Sequence, residues 1–188
     1  MKKFSLISFL FQVPNPVLYD VCFYIIDAAA VGYGIYQGVS LWASMVMFLV
    51  GVILWVVLEY LIHRYIFHMK SNNVIVRKLV YSIHGVHHAH SHDNDKMFVP
   101  FIPAMVMAAL LLHLLIMLVG GVGYPLFAGI IFMHQIYNYV HIMIHTEAYK
   151  DNKLLQSLRN NHIKHHTGYG EKCFGVTSTV CDKLFNTL

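Results

Sequence analysis

Apolar residues run along this chain in long, nearly unbroken blocks. They follow neither the alternation of a half-buried strand nor the single stripe of an amphipathic helix. Four blocks, at residues 17–37, 41–62, 101–119 and 122–144, are long enough to cross the hydrocarbon core of a bilayer, which takes about 20 helical residues. The second, LWASMVMFLVGVILWVVLEYLI, is the cleanest, with one acid near its end, whereas the first contains Asp20 and Asp27. Gly38 separates the first pair and Gly120-Gly121-Val122-Gly123 the second, so the pattern predicts two helical hairpins with tight turns. Ahead of them, Lys2-Lys3 and FSLISFLF begin like a signal peptide. The run is short, ends in Val-Pro-Asn-Pro and lacks a small-residue cleavage site, which favours an interfacial segment.

Composition sharpens this reading. Hydrophobic residues make up 57% of the 188 and charged residues 12%, against about 45–50% and about 25% in a soluble domain. Too little polar surface remains to cover a water-soluble globule. Disorder, a coiled coil and a disulfide-rich secreted module are excluded on the same ground. The cysteines (Cys22, Cys173, Cys181) are odd in number and form no CxxC pair, so neither a disulfide framework nor a zinc ribbon is indicated. The length suits one domain spanning 1–188.

The formal net charge of +4 has a topological reading. With two hairpins, the N-terminus, residues 64–100 and the tail from 146 share one side of the membrane, and all 13 Lys and Arg residues lie in those three pieces. The positive-inside rule makes that side cytoplasmic, with both termini there. Anionic lipid headgroups then account for the basic balance without nucleic acid.

Fourteen histidines stand against nine acidic residues. Ten of them fall in four clusters on the expected cytoplasmic face: His63-Arg-Tyr-Ile-Phe-His68, His84-Gly-Val-His87-His88, His141-Ile-Met-Ile-His145 and His162-Ile-Lys-His165-His166. Positions i, i+3 and i+4 share a helix face. HxxHH can therefore turn three imidazoles toward one point, and HxxxH two, while HxxxxH needs a bend or a helix end. Neutral imidazole is a common ligand of iron, zinc and copper. Ten ligands exceed the needs of one ion, and two ions with about five histidines each would leave an octahedral position open. Any single cluster also reads as an interfacial polar pair. Four converging clusters would bury many unpaired imidazoles at a cost that a metal removes. His113 and His134 read as packing or hydrogen-bonding residues, with an outer supporting role also open for His134. His90 and His92 read as solvated or as outer supports of the adjacent cluster. The methionines, Met105, Met107 and Met117 among them, read as lipid-facing or packing.

The order HxxxxH, HxxHH, HxxxH, HxxHH with hydrophobic hairpins between resembles the fatty acid hydroxylase/sterol desaturase superfamily, and within it the fatty acid (sphingolipid) 2-hydroxylase branch. Glu59-Tyr60 before His63-Arg64 and Phe67-His68 match the branch's opening. The region after His88 departs from it at Ser91 and Lys96 while keeping Asp93 and Pro100, and Tyr137-Asn138-Tyr-Val-His141 carries Asn where the branch has Asp. Phe174-Gly175-Val176-Thr177-Ser178, Asp182 and Phe185-Asn186-Thr187 fit its ending. The resemblance runs from about Leu58 to the C-terminus. It implies an all-α fold: an integral membrane bundle of four transmembrane helices with a cytoplasmic histidine-rich helical cap. It also implies two iron ions on the ten clustered histidines (zinc can replace iron in purified protein), O₂ as co-substrate and two electrons. The lipid substrate enters from the bilayer, as a fatty acid or ceramide-like acyl chain. Relatives can carry a fused cytochrome b5 domain for which this chain has no room, so a separate electron donor, cytochrome b5- or ferredoxin-like, is expected. Glu59, Asp93 and Asn138 are candidates to fix imidazole tautomers, or else a helix-end charge, a loop cap and a polar helix contact. A sterol or carotenoid oxygenase or a lipid desaturase of the same superfamily remains open, as does a membrane metal transporter or a non-catalytic metal-binding scaffold.

Overall fold

The computed structural model describes residues 16–91, 97, 99–168 and 171–188. The N-terminal segment with Lys2-Lys3, and His92, Asp93 and Lys96, lie outside them. Among the described residues all regular structure is helical. The elements are α1 (Pro16–Tyr36), α2 (Leu41–Leu61), a π-helical turn (Ile62–Phe67), α3 (Val74–Val80), a second π turn (Tyr81–Gly85), α4 (Val86–Ala89), α5 (Phe101–Val119), α6 (Gly123–His145), α7 (Gln156–His166) and α8 (Val180–Leu184). The sequence marks the ends. Gly38 follows α1 at φ +93, and Gly120 ends α5 at φ +66, where a side chain would clash with the backbone. Pro103 and Pro125 occupy the third residue of α5 and α6, in the first turn where the absent N–H has no intrahelical acceptor.

Three stretches are long and apolar enough to cross a membrane, Val17–Tyr36, Leu41–Phe67 and Phe101–His145, as suits a multi-pass membrane protein. The third contains both α5 and α6, and the chain reverses between them. Phe101 and His134 both pack on Phe23, at ring-centroid distances of 6.3 and 6.2 Å. One straight helix would hold them about 50 Å apart. Exposed side chains on these helices are large and apolar (Trp42, Ile53, Met117 and Leu118 are each about 70% exposed), the surface of a protein solvated by lipid.

The chain divides into two compact units, residues 1–55 with 100–135 and residues 56–99 with 136–188. In the first, α2 and α6 meet backbone to backbone. A Cβ on Gly51 would run into the Leu126 carbonyl, and one on Gly129 into that of Phe48. Small residues at such crossings let membrane helices pack without a hydrophobic driving force. The acids that weaken the first apolar block are buried, and Asp27 Oδ2 accepts from Gln135 Nε2 at 3.0 Å. His134 packs between Trp55 (5.2 Å) and Phe23, which gives it the core role. His113 is exposed on α5.

The second unit holds all four histidine clusters. Its buried core joins Tyr60, Phe174 and Cys181, with Val56 packed against them.

Candidate metal centre

The HxxxxH cluster begins where α2 loosens into a π turn. His68 N–H donates to His63 O at 3.1 Å, a five-residue step in place of the α-helical four. That wider step brings His63 and His68 onto one face, with ring centroids 5.0 Å apart. The same result is reached at the end of α6 by ordinary α spacing, where His141 and His145 lie 5.0 Å apart. A second π turn, Tyr81–Gly85, carries His84 and leads into α4 with His87 and His88, while α7 carries His162, His165 and His166.

The ten histidines gather into two groups of five. One is His63, His68, His84, His88 and His165; the other is His87, His141, His145, His162 and His166. Within each group every ring offers a nitrogen within 4.8 Å of the others. Contrary to the sequence pattern, HxxHH does not turn three imidazoles toward one point. Its outer pair, i and i+4, shares a face and serves one group. The middle histidine, next in sequence to the last, is rotated by about 100° and serves the other. His87 thus joins the group of α6 and α7, and His165 joins that of the first two clusters.

In the first group, Nε2 of His84 lies 3.1 Å from that of His63 and 3.0 Å from that of His88. His165 Nε2 lies 3.0 Å from His68 and 3.2 Å from His88. In the second, His162 Nε2 is 2.9, 2.8 and 3.0 Å from Nε2 of His141, His145 and His166. Ligands at right angles around an ion with bonds of about 2.1 Å stand about 3.0 Å apart. The donor set fits a metal on a second count. A neutral imidazole has one N–H, and His63 and His165 donate theirs from Nδ1 to the carbonyls of Phe174 (2.5 Å) and Lys172 (2.7 Å). Both Nε2 atoms are then bare lone pairs aimed into one group, an arrangement that a cation relieves. Both ring nitrogens of His87 are buried with no hydrogen-bond partner among the described residues.

Electrostatics favours the ligand form. Burial, and after it the neighbouring imidazoles, pushes His68 and His87 down to about 3 and His88 to about 4 from the ordinary 6.5. The same causes hold His84, His162 and His166 well below 6.5, and burial lowers His165. Metal binding requires the unprotonated ring, and the site keeps it unprotonated.

The expected outer partners are distributed differently. Glu59 is buried and accepts from the Val176 and Thr177 amides (the latter at 2.9 Å) and from the Thr177 hydroxyl. It holds a loop. Asn138 is buried, and its Nδ2 meets no acceptor among the described residues. Asp93 lies outside them, and His90 is exposed and joins neither group. Two partners that reach the rings, the Lys172 and Phe174 carbonyls, leave no trace in residue type. Asp182 is also easy to miss: fully buried, it accepts from the Phe174 and Gly175 amides at 2.9 and 2.7 Å.

Residues 48–187 match the family profile described as fatty acid hydroxylase. The rat protein fatty acid 2-hydroxylase is 33% identical over 145 residues, which are 76% of this chain and 39% of the relative. An Arabidopsis thaliana protein, dihydroceramide fatty acyl 2-hydroxylase FAH2, is 33% identical over 141 residues, 73% of this chain and 58% of the relative. The chain thus spans about two-fifths to three-fifths of these relatives' length. A solved structure described as full-length scs7p, with only the hydroxylase domain visible, superposes with a TM-score of 0.84 at 25% identity, covering 97% of this chain and 69% of that one. With the profile match taking in all four histidine clusters, the chain belongs to the fatty acid hydroxylase family.

Proposed function

We propose that this chain is a membrane dimetal oxygenase that hydroxylates the acyl chain of a fatty acid or ceramide-like lipid. The observation that carries the proposal is the gathering of ten histidines into two groups of five, each with its nitrogens within 4.8 Å of one another. Two iron ions on those groups would supply the redox chemistry by which O₂, two electrons and two protons convert C–H to C–OH with release of water. His63, His68, His84, His88 and His165 hold one ion, and His87, His141, His145, His162 and His166 the other. The protein's share is to keep those rings neutral and aimed, and to set which carbon is presented, since proximity selects the bond that reacts. The relatives above are named for 2-hydroxylation of fatty acids and of dihydroceramide acyl chains, and that substrate class and position form part of the proposal.

The four apolar helices α1, α2, α5 and α6 each span the bilayer once, and the chain works as one domain. The confinement of Lys and Arg to the segments outside the hairpins supports a cytoplasmic histidine cap and cytoplasmic termini. Electrons come from a separate cytochrome b5- or ferredoxin-like protein. Metal transport finds less support, because neither His113 nor His134 joins a histidine group among the described residues.

The test is lipid mass spectrometry after expression with iron and a competent reductant. Wild type should yield a lipid species heavier by one oxygen, and H87A and H165A should not, at equal amounts of folded membrane protein. No such species from the wild type ends the proposal, and a product lacking two hydrogens moves it to desaturation.

A further inference from the structure

The loop between α7 and α8 has four consecutive backbone amides, at residues 174 to 177, gripped by two buried carboxyl groups. Asp182 Oδ1 takes the Phe174 amide and Oδ2 the Gly175 amide. Glu59 Oε1 takes those of Val176 and Thr177. Asp182 Oδ1 also accepts from the Thr187 hydroxyl at 2.8 Å, and Thr187 N–H returns to the Asp182 carbonyl at 2.8 Å. Gly175 is required here, because a Cβ would meet the Ser178 carbonyl and sit 2.8 Å from Asp182 Oδ2. Cys173, at φ +57, turns the chain between Lys172 and Phe174, whose carbonyls receive Nδ1–H of His165 and His63.

We infer that Asp182 and Glu59 are positioning residues that, through this loop, fix the Nδ1–H tautomer of His63 and His165 and so pre-set the first histidine group for its metal. In the second group, Nδ1 of His87, His141, His162 and His166 is buried without a partner among the described residues. The inference rests on the metal reading above and adds an asymmetry to it. Outer partners that orient ligating imidazoles are typically worth 10–100-fold in metal affinity, and Asp182 and Glu59 direct that gain to the first group.

The experiment is chelator competition on the purified full chain loaded with zinc, where two release steps are expected. H68A and H145A assign the steps, since each removes a ligand from one group. D182N should weaken the first group's step by roughly 10–100-fold and leave the second in place. Whichever way the amide is turned, its NH₂ faces a backbone N–H where an acceptor stood. E59Q should move the same step less, because the Thr177 hydroxyl can rotate to accept from the new amide. If D182N does not fold, E59Q still reads the same step, and ring ¹⁵N shifts of metal-free wild type test the tautomers directly: His63 and His165, assigned by their loss in H63A and H165A, should carry the proton on Nδ1. Two wild-type steps that D182N and E59Q leave unmoved, or move equally, overturn the inference alone. So do His63 and His165 found protonated on Nε2. A wild type that takes up no zinc overturns the metal reading as well.

Discussion

In the first histidine group, His63 and His165 are held from behind by carbonyls of a loop that lies far along the chain from His63. In the second, the corresponding face of four rings meets no protein acceptor among the described residues. The two groups otherwise match. Each takes a pair from one cluster, the outer pair of one HxxHH, and a single histidine from the middle of the other. Ligand identity and number thus repeat while the surroundings differ. Similar motifs bring five histidines into each group, and the support behind the rings comes from elsewhere in the sequence.

The largest effect should come from the crossed histidines. H165A lies in the second HxxHH, yet it should weaken the zinc step of the first group by more than the roughly 100-fold upper range of an outer partner, and H87A should do the reverse. Chelator competition on each variant checks this. A variant that moved its own motif's group would break the crossing.

Acid should act on both groups. The clustered imidazoles outside the membrane-spanning stretches lie below 6.5, with His68 and His87 near 3 and His88 near 4, chiefly through burial and, for most of them, then through neighbouring rings. The unfolded chain therefore takes up protons below about pH 6.5 while the folded chain stays neutral. Stability of the metal-free protein is complete above 6.5 and is lost as pH falls through the interval from 6.5 toward 3. Thermal melts at about pH 7.5 and about pH 5 should show a lower Tm in acid, and a higher one would contradict the neutral-ring assignment.

A smaller change separates the histidine groups from the apolar unit. G129L places a side chain against the Phe48 backbone and should cost about 1–3 kcal/mol, read as a lower denaturation midpoint with both zinc steps unshifted. The smallest effect belongs to K70A. It removes the exposed ion pair with Glu171, just before the supporting loop, and should change neither stability nor zinc release measurably. A shifted first step would mean that the loop is anchored from outside as well as by its buried carboxyls.

Much of this was legible in the sequence. The apolar blocks mark α1, α2, α5 and α6 to within a few residues, because a helix in lipid needs only length and uniform hydrophobicity. The four clusters name all ten clustered histidines. What could not be read is how HxxHH divides, since which face each helix turns toward which neighbour is a tertiary fact. The π turn that makes five-residue spacing equivalent to four was anticipated only as a bend. The carbonyls of Lys172 and Phe174 leave no mark in the sequence, because every residue has a carbonyl and no residue type singles out these two. Glu59 was singled out for the rings and reaches at least this loop.

The exchange of His87 and His165 between groups has a consequence for assembly. Each HxxHH segment contributes to both groups, so neither group can be completed while either segment is out of place. Docking of α7 that delivers His165 also delivers His162 and His166, and the segment with His84 and His88 brings His87. Docking of the two segments for one ion therefore also brings most of the other group's rings into place.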